Sequence, residues 1–491
     1  MWAYIHSTMK TLDVRSGPIA PALVRLSLPV LAGQAFNLLY NLVDTWFIAR
    51  IDTADPWLVG ATGLVFPLFF ILMATSFGIT GGVSSLVARA IGAGRSRELD
   101  RTAESGIFLA IVASALFLLL MYPLSTPLLS LFGGTDQMLV YGREYLHWLL
   151  PVVPFMLLSA VFTGILQGEG RPKHMMVSMM IGTVVNIVLD PLLIFTAGMG
   201  IAGAGLATAL GNAAGLVYLV IVFLKTTSQV KIHWKISFVS LPVVREILRV
   251  GLPQSLMNFL SSLSFIFYNR IMIDINPYNL TSFTLYSRME QVALIPIWSL
   301  SSGLATIAGQ AAGARDIERM RRASRTGSGI GLAVTGTLLL GYVLASPWIF
   351  RFFQTDAEVL RLAAIIAPWM AAASFVSVPM FMVNTVMGSS GFANYSLILT
   401  ALRIYGLNVP ACLLGAYVIG RGVTPVMIGI FVSSVLALLL SLGAQHIFLR
   451  ALERGRLKIA FAAGENDGAV AELAMANTPA EDVSVVVKAG E

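Results

Sequence analysis

Charge is scarce in this chain. Of 491 residues, 25 are acidic and 32 basic, 12% together, where soluble domains carry about 25%. Hydrophobic residues make up 57% and mean hydropathy is +0.81. A water-soluble fold of this size would expose apolar surface it could not hide. Cysteine is scarcer still: Cys412 stands alone, inside an apolar run, so no intramolecular disulfide can form. No cleavable leader is expected, because Met1 to Gly17 is polar and the first apolar run is too long for a signal peptide.

What the chain has in abundance is long apolar runs, from Ala20 to Arg450, broken by short polar links. Many exceed the roughly 20 residues that cross about 30 Å of hydrocarbon. Only helices and closed barrels pair every backbone polar group inside a bilayer, and these runs are too long and too uniformly apolar for barrel strands. Twelve helical spans are predicted, over 20–49, 57–86, 102–124, 138–167, 174–197, 201–224, 243–273, 280–309, 322–346, 357–387, 394–419 and 423–447.

The net charge of +7 is a matter of placement. Basic residues cluster before the first span and after every even-numbered one, as in Arg89, Arg95, Arg97 and Arg101, or Arg315, Arg319, Arg321, Arg322 and Arg325. The other side holds only Arg50, Arg143, Arg270, Arg351, Arg361 and Arg421. The excess of Lys and Arg marks the cytoplasmic side. Both termini are therefore expected in the cytoplasm, and nucleic acid is not an expected partner.

The chain repeats itself. "LSLPVLAGQAFNLL" matches "VGLPQSLMNFLSSL", aligning Pro29 with Pro253, and "GVSSLVARAIGAGRSRE" matches "GLATIAGQAAGARDIER". "LFGGTDQMLV" matches "FFQTDAEVLR", and Pro191 pairs with Pro410. The shift is close to 220 residues, or six spans, so both halves insert in the same orientation. An all-α polytopic membrane protein follows, with two pseudo-symmetric six-helix bundles and a cavity between them, which is transporter architecture. The predicted organisation is an N-terminal segment 1–19, a first lobe 20–225, a cytoplasmic linker 226–242, a second lobe 243–452 and a disordered tail 453–491.

Ionisable residues within spans are costly and face a cavity or a partner. They are Asp44, Asp190, Arg288, Glu290 and Arg403. At 1.5 Å per residue, Asp44, Tyr145, Asp190 and Thr208 all fall roughly 8–11 Å below the outer face. Asn186 lies one turn from Asp190 on the same face. Two carboxylates in low dielectric cannot both stay ionised without a cation. The layer must take H+, Na+ or a cationic ligand. Na+ would use oxygens of Asp44, Asn186, Asp190 and Thr208, whereas a proton needs only the carboxylates. The second half lacks this layer: Asp44 aligns with Tyr268, Asn186 with about Tyr405 and Asp190 with about Val409. Plainer roles stand beside these. Asp44 could pair with Arg50, and Asp190, next to Pro191, could cap a broken helix. Arg288, Glu290 and Arg403 fit either a structural pair between the eighth and eleventh spans or groups lining the cavity. Met175, Met176, Met179 and Met180 fit packing.

The first span "LPVLAGQAFNLLYNLVDTWFIAR", the tract "ARAIGAGRSRELDRTA" and its partner "GQAAGARDIERMRRA" resemble the multidrug and toxic compound extrusion (MATE) family, over roughly residues 15–456. Within it, Pro29 fifteen residues before Asp44, Asn186 four before Asp190, Tyr145 and Thr208 resemble the ion site of the prokaryotic DinF-type branch. The NorM-type branch places acids in helices 7 and 10, where this chain offers Gln254, Asn258 and Asn384. The resemblance implies a V-shaped pair of bundles, a helix 1 that bends at Pro29, and antiport of H+ or Na+ against organic cations or drugs.

The expected protein is therefore a monomeric exporter in the inner membrane, not an enzyme, with no cofactor beyond its coupling cation. Asp44, Asp190, Asn186, Tyr145 and Thr208 are its expected ion site. A flippase for lipid-linked precursors would need cationic groups for a diphosphate, which Arg288 and Arg403 alone could offer. A membrane-embedded lipid transferase would need longer external loops than "RIDTADPW" or "DINPYN".

Overall fold

The computed structural model describes residues 14, 16–48, 50–51, 57–134, 136–225, 228–233, 236–353, 356–420 and 422–459. The tail expected to be disordered lies, from residue 460 on, outside the described residues, as do the first thirteen residues. Regular structure among the described residues is helical throughout. The first lobe comprises α1 (Ile19–Ile48), α2 (Trp57–Ala93), α3 (Ser96–Leu131), α4 (Asp136–Leu149), α5 (Val152–Gly168), α6 (Pro172–Pro191) and α7 (Ile201–Lys225). The second comprises α8 (Leu241–Ile275), α9 (Pro277–Gly313), α10 (Ile317–Phe353), α11 (Ala357–Ser389), α12 (Ala393–Ala401), α13 (Val409–Leu414) and α14 (Val423–Glu453). The helices pass through apolar surroundings, where an unpaired backbone group costs several kcal/mol. Their outward faces are apolar too: Leu119, Leu131 and Trp348 are 73%, 77% and 71% exposed, which suits lipid and not water.

Eleven of the described helices are long and apolar enough to cross a bilayer, and a bent pair makes the twelfth span. That pair is α4 and α5, expected as one span over 138–167 and found bent by 47°. Pro151 stands at the break; lacking an N–H, it cannot continue the helical hydrogen bonding. The fifth span does not stop at its proline. Pro191 ends α6 and the chain runs on through a π-helical stretch, Leu192–Thr196. The eleventh span contains two such stretches, Leu402–Asn408 and Gly415–Ile419.

The repeat is visible in the helix boundaries. α9, α10 and α12 start 220, 221 and 221 residues after α2, α3 and α6. The turns repeat as well. Gly94 after α2 has φ +73°, and Arg315, at the matching place after α9, has φ +59°. Both turns close with the same pair of backbone bonds, Gly94 N–H to Ile91 and Arg95 N–H to Ala90, mirrored by Arg315 to Ala312 and Asp316 to Ala311. This is the Schellman ending of a helix, which asks for a left-handed residue. The second half meets that demand with an arginine.

The lobes meet along the half of the bundle that holds the start of α1 and the end of α14. Ser85 on α2 donates to the carbonyls of Gly388 and Ser389 on α11, at 3.3 and 2.8 Å. Its repeat counterpart Thr306 on α9 donates to the Gln167 carbonyl on α5, at 2.6 Å. A Cβ on Gly78 of α2 would stand 2.7 Å from the Gly251 carbonyl of α8, and the reverse substitution meets Gly78 at 2.7 Å. The start of α1 crosses over: Ala22, Leu23 and Leu26 share a buried cluster with Ile297, Leu300 and Leu304 of α9. Part of the linker is strapped to the first lobe. Glu169 accepts from the N–H groups of Gln229 and Val230, and Asp100 from Lys231.

Candidate functional site

The layer expected from depth alone is assembled by α1, α4, α6 and α7. α1 runs beside α6, and α7 crosses both α4 and α6. Small residues set the spacing. A Cβ on Gly211 of α7 would lie 2.7 Å from the Gly182 carbonyl of α6 and 3.1 Å from the Asn186 Cβ. A Cβ on Gly205 would lie 2.9 Å from the Tyr145 carbonyl of α4. Backbones this close leave no room for larger side chains, so the polar groups between them are held at short range. On the α1 side, Met176 and Met179 pack against Gly33 and Met175 is buried in the first-lobe core. Met175 and Met179 thus serve as packing.

Asp190 is fully buried and Asp44 is 9% exposed. Asn186 and Thr208 are each 2% exposed. In the amide orientation that satisfies both its atoms, Asn186 donates to Asp190 Oδ2 and accepts from the backbone N–H of Thr208, both at 3.2 Å. The amide thus ties the carboxylate on α6 to α7. Asp44, on α1, interacts electrostatically with Asp190. Its Oδ1 is buried and, among the described residues, accepts no hydrogen bond. A buried carboxylate oxygen without a donor carries its full desolvation cost; a bound cation or proton removes it. Tyr145 is buried on α4, across from Gly205, one turn before Thr208. The structure therefore brings Asp190, Asn186 and Thr208 into direct contact and sets Asp44 within electrostatic range. Tyr145 belongs to the helix that packs on α7 at Gly205.

Pro29 lies inside α1, which stays helical across it. The proline removes the hydrogen bond that the Arg25 carbonyl would otherwise accept. In the second lobe, Glu290 on α9 accepts hydrogen bonds from Tyr286 Oη, at 3.2 Å, and from Ser374 Oγ on α11. Among the described residues no ion pair joins Arg288, Glu290 and Arg403. Arg288 is exposed, and Arg403 lies 6.0 Å over the Phe381 ring.

One polar group escaped the reading of depth and charge. Arg89, counted as a topology marker in a basic link, is 1% exposed. It sits at the interlobe seam, with Nη1 and Nη2 each 3.3 Å from Glu246 Oε1 on α8 and Nε donating to the Ser85 carbonyl. A Cβ on Gly391, whose φ is +92°, would come within 2.6 Å of the guanidinium. The repeat held a signal: Arg89 aligns with Gln310, which donates to the Gly168 carbonyl across the same seam at 3.0 Å.

The family model MatE matches this chain twice, over residues 29–192 and 253–414, one match to each half. The multidrug export protein MepA of Staphylococcus aureus is 25% identical over 287 residues, which are 58% of this chain and 63% of that protein. The match thus spans less than two thirds of that relative. MepA of Staphylococcus haemolyticus is 25% identical over 71% of this chain and 76% of its own length. A solved structure described as the outward-facing conformation of a multidrug resistance MATE family transporter of the MOP superfamily superimposes with a TM-score of 0.85. It is 26% identical and covers 91% of this chain and 99% of that one.

Proposed function

The chain belongs to the MatE family, and on that premise we propose that it is a secondary active exporter, exchanging H+ for amphipathic, mostly cationic organic molecules. One observation carries the reading: Asp44 and Asp190 are both buried in the first lobe within electrostatic range of each other, and among the described residues one oxygen of Asp44 accepts no hydrogen bond. Such a pair takes up a cation. The Asn186 amide favours a proton over Na+. In the orientation that satisfies both amide atoms, its oxygen accepts from the Thr208 N–H and its nitrogen faces Asp190; an Asn186 oxygen on Na+ would need the opposite orientation and lose both bonds. The names of the relatives support export of drugs, and the acidic layer suits cationic ones.

The distribution of Lys and Arg supports cytoplasmic termini and an inner-membrane location. With the termini inside, a seam at that end describes a transporter open to the outside, where protons enter. Exchange requires that ion and substrate favour different states of the two lobes. Pro29, between the seam and the ion layer, is the point where α1 can bend as the load changes. The chain acts as a monomer in this reading.

The test is substrate-induced proton flux in proteoliposomes of the purified protein, with pH and Na+ varied independently. Wild type should release protons against an inward substrate gradient at any Na+ concentration. Asp44→Asn should reduce the flux to that of empty liposomes while the protein remains folded. Undiminished flux in Asp44→Asn would remove Asp44 from the mechanism, and flux that follows Na+ alone would replace the proton.

A further inference from the structure

The segment ahead of α1 is held by the lobe to which α1 does not belong. Val14 is 4% exposed and shares the buried cluster of the second lobe with Leu304 of α9 and Met320 of α10. Arg319, in the first turn of α10, donates from Nη2 to the carbonyls of Val14 and Gly17, at 2.7 and 2.9 Å. That turn is itself fixed: Asp316 caps the helix and accepts from the Arg319 backbone N–H at 2.8 Å. On its other side the segment meets the first lobe. A Cβ on Gly170, in the turn between α5 and α6, would lie 3.5 Å from Val14 Cγ2 and 3.5 Å from Thr306 Cγ2 of α9. Val14 thus fills a corner where the two lobes touch.

The repeat supplies a comparison. The segment ahead of α8 is likewise held by the opposite lobe, through α3, the counterpart of α10. Asp100 and Glu104 accept from the N–H groups of Lys231 and His233, and Ser105 Oγ accepts from that of Ser240. The chemistry is inverted, with carboxylates on N–H groups at one place and a guanidinium on carbonyls at the other. The linker is fastened at four side chains, these three and Glu169, whereas both bonds to Val14 and Gly17 come from one arginine.

α1 changes lobes along its length. Ala22, Leu23 and Leu26 pack with α9, and further on Gly33 lies against Met176 and Met179 of α6. A helix tied to both lobes cannot follow both when they part. We propose that the segment ahead of α1 is a latch on the cytoplasmic seam and that Arg319 is its catch, a reading that rests on the alternating openings of the proposed function. While the guanidinium holds the two carbonyls, the start of α1 stays on the second lobe and the seam stays shut. Opening breaks both charge-assisted bonds, which are stronger than neutral ones, and draws Val14 away from Gly170.

The seam is read in proteoliposomes by the labelling rate of a Ser85→Cys reporter with a thiol reagent; native Cys412 is fully buried. Arg319→Gln should speed labelling at least about tenfold, the weight of one charge-assisted hydrogen bond. Arg319→Lys, which keeps the charge and loses the fork, should fall between, and Val14→Ala should act in the same direction. Hydrogen exchange followed by mass spectrometry should rise over residues 14–22 in Arg319→Gln. It should stay low over residues 228–233, which are bonded to Asp100, Glu104 and Glu169, and that result shows the variant to be folded. Raised exchange at the segment with unchanged labelling would make it an anchor and overturn the latch. No change in either would show the grip of Arg319 to be idle and overturn it too. The export reading is judged separately, by wild-type proton flux, so an exporter without a latch and a latch without an exporter give different results.

Discussion

Asn186 shows how one neutral side chain can organise a charged site. In the orientation that satisfies both its atoms, its amide bridges Asp190 and the backbone of α7 with two bonds of 3.2 Å. Asn186→Ala strips one oxygen of a fully buried carboxylate of its donor, and such a loss costs about 1–3 kcal/mol. The expected outcome is a lower thermal midpoint in detergent together with a reduced proton-coupled rate. A variant that loses neither would show the amide to be idle. Residue types and spacing were enough to select Asp44, Asn186, Asp190 and Thr208 as a group. Their hydrogen bonds were not legible, because the bond between Asn186 and Thr208 depends on how closely α6 and α7 approach. That distance is set by glycines elsewhere on the two helices.

Those glycines belong to the scale of elements. Gly211 faces the Gly182 carbonyl, a backbone atom that cannot rotate away. Gly211→Ala must push α7 off α6, at a cost of about 1–3 kcal/mol for overpacking, and it should be seen as a fall in thermal midpoint. Pro29 acts in the opposite sense. Pro29→Ala gives the Arg25 carbonyl its helical donor back, and a helix-interior proline costs about 3 kcal/mol. The variant should therefore be more resistant to heat and yet export more slowly, if α1 bends there. Equal rates for parent and variant in the liposome assay would leave the proline without a mechanical part. The break between α4 and α5 carries the same lesson. Pro151 was in plain view, yet a proline in a span can be bridged, as Pro29 is, or can turn the chain by 47°. Packing against the neighbouring helices decides which.

At the scale of the whole molecule, two lobes related by a repeat are joined by bonds that obey the same repeat. Ser85 and Thr306 donate across the seam as counterparts, and Arg89 and Gln310 occupy matching places. The symmetry is broken where Arg89 meets Glu246 in a buried ion pair. Removing one partner of such a pair costs about 3–5 kcal/mol, because the other charge is left buried. In Glu246→Gln that loss falls on the state in which the lobes are joined at the end bearing the termini. The population should shift towards the opposite opening. A cysteine at position 85, which is buried in the seam, should react with a thiol reagent at least about tenfold faster in that background. Native Cys412 is fully buried and should not compete. Unchanged labelling would mean that the pair does not hold the seam.

The sequence by itself determined the twelve spans, their pairing into two parallel halves and the acids that had to find company inside the membrane. These follow from local quantities: apolar run length against bilayer thickness, the sign of charge in each link, and depth at 1.5 Å per residue. Only the tertiary structure decided which end of the lobes is joined, that Arg89 meets Glu246 there, and that Arg403 pairs with no acid among the described residues. Those outcomes depend on close approaches between residues more than a hundred positions apart, such as Gly78 with Gly251 and Arg89 with Glu246. No local pattern specifies such a distance, because it is the joint result of packing every helix in both lobes.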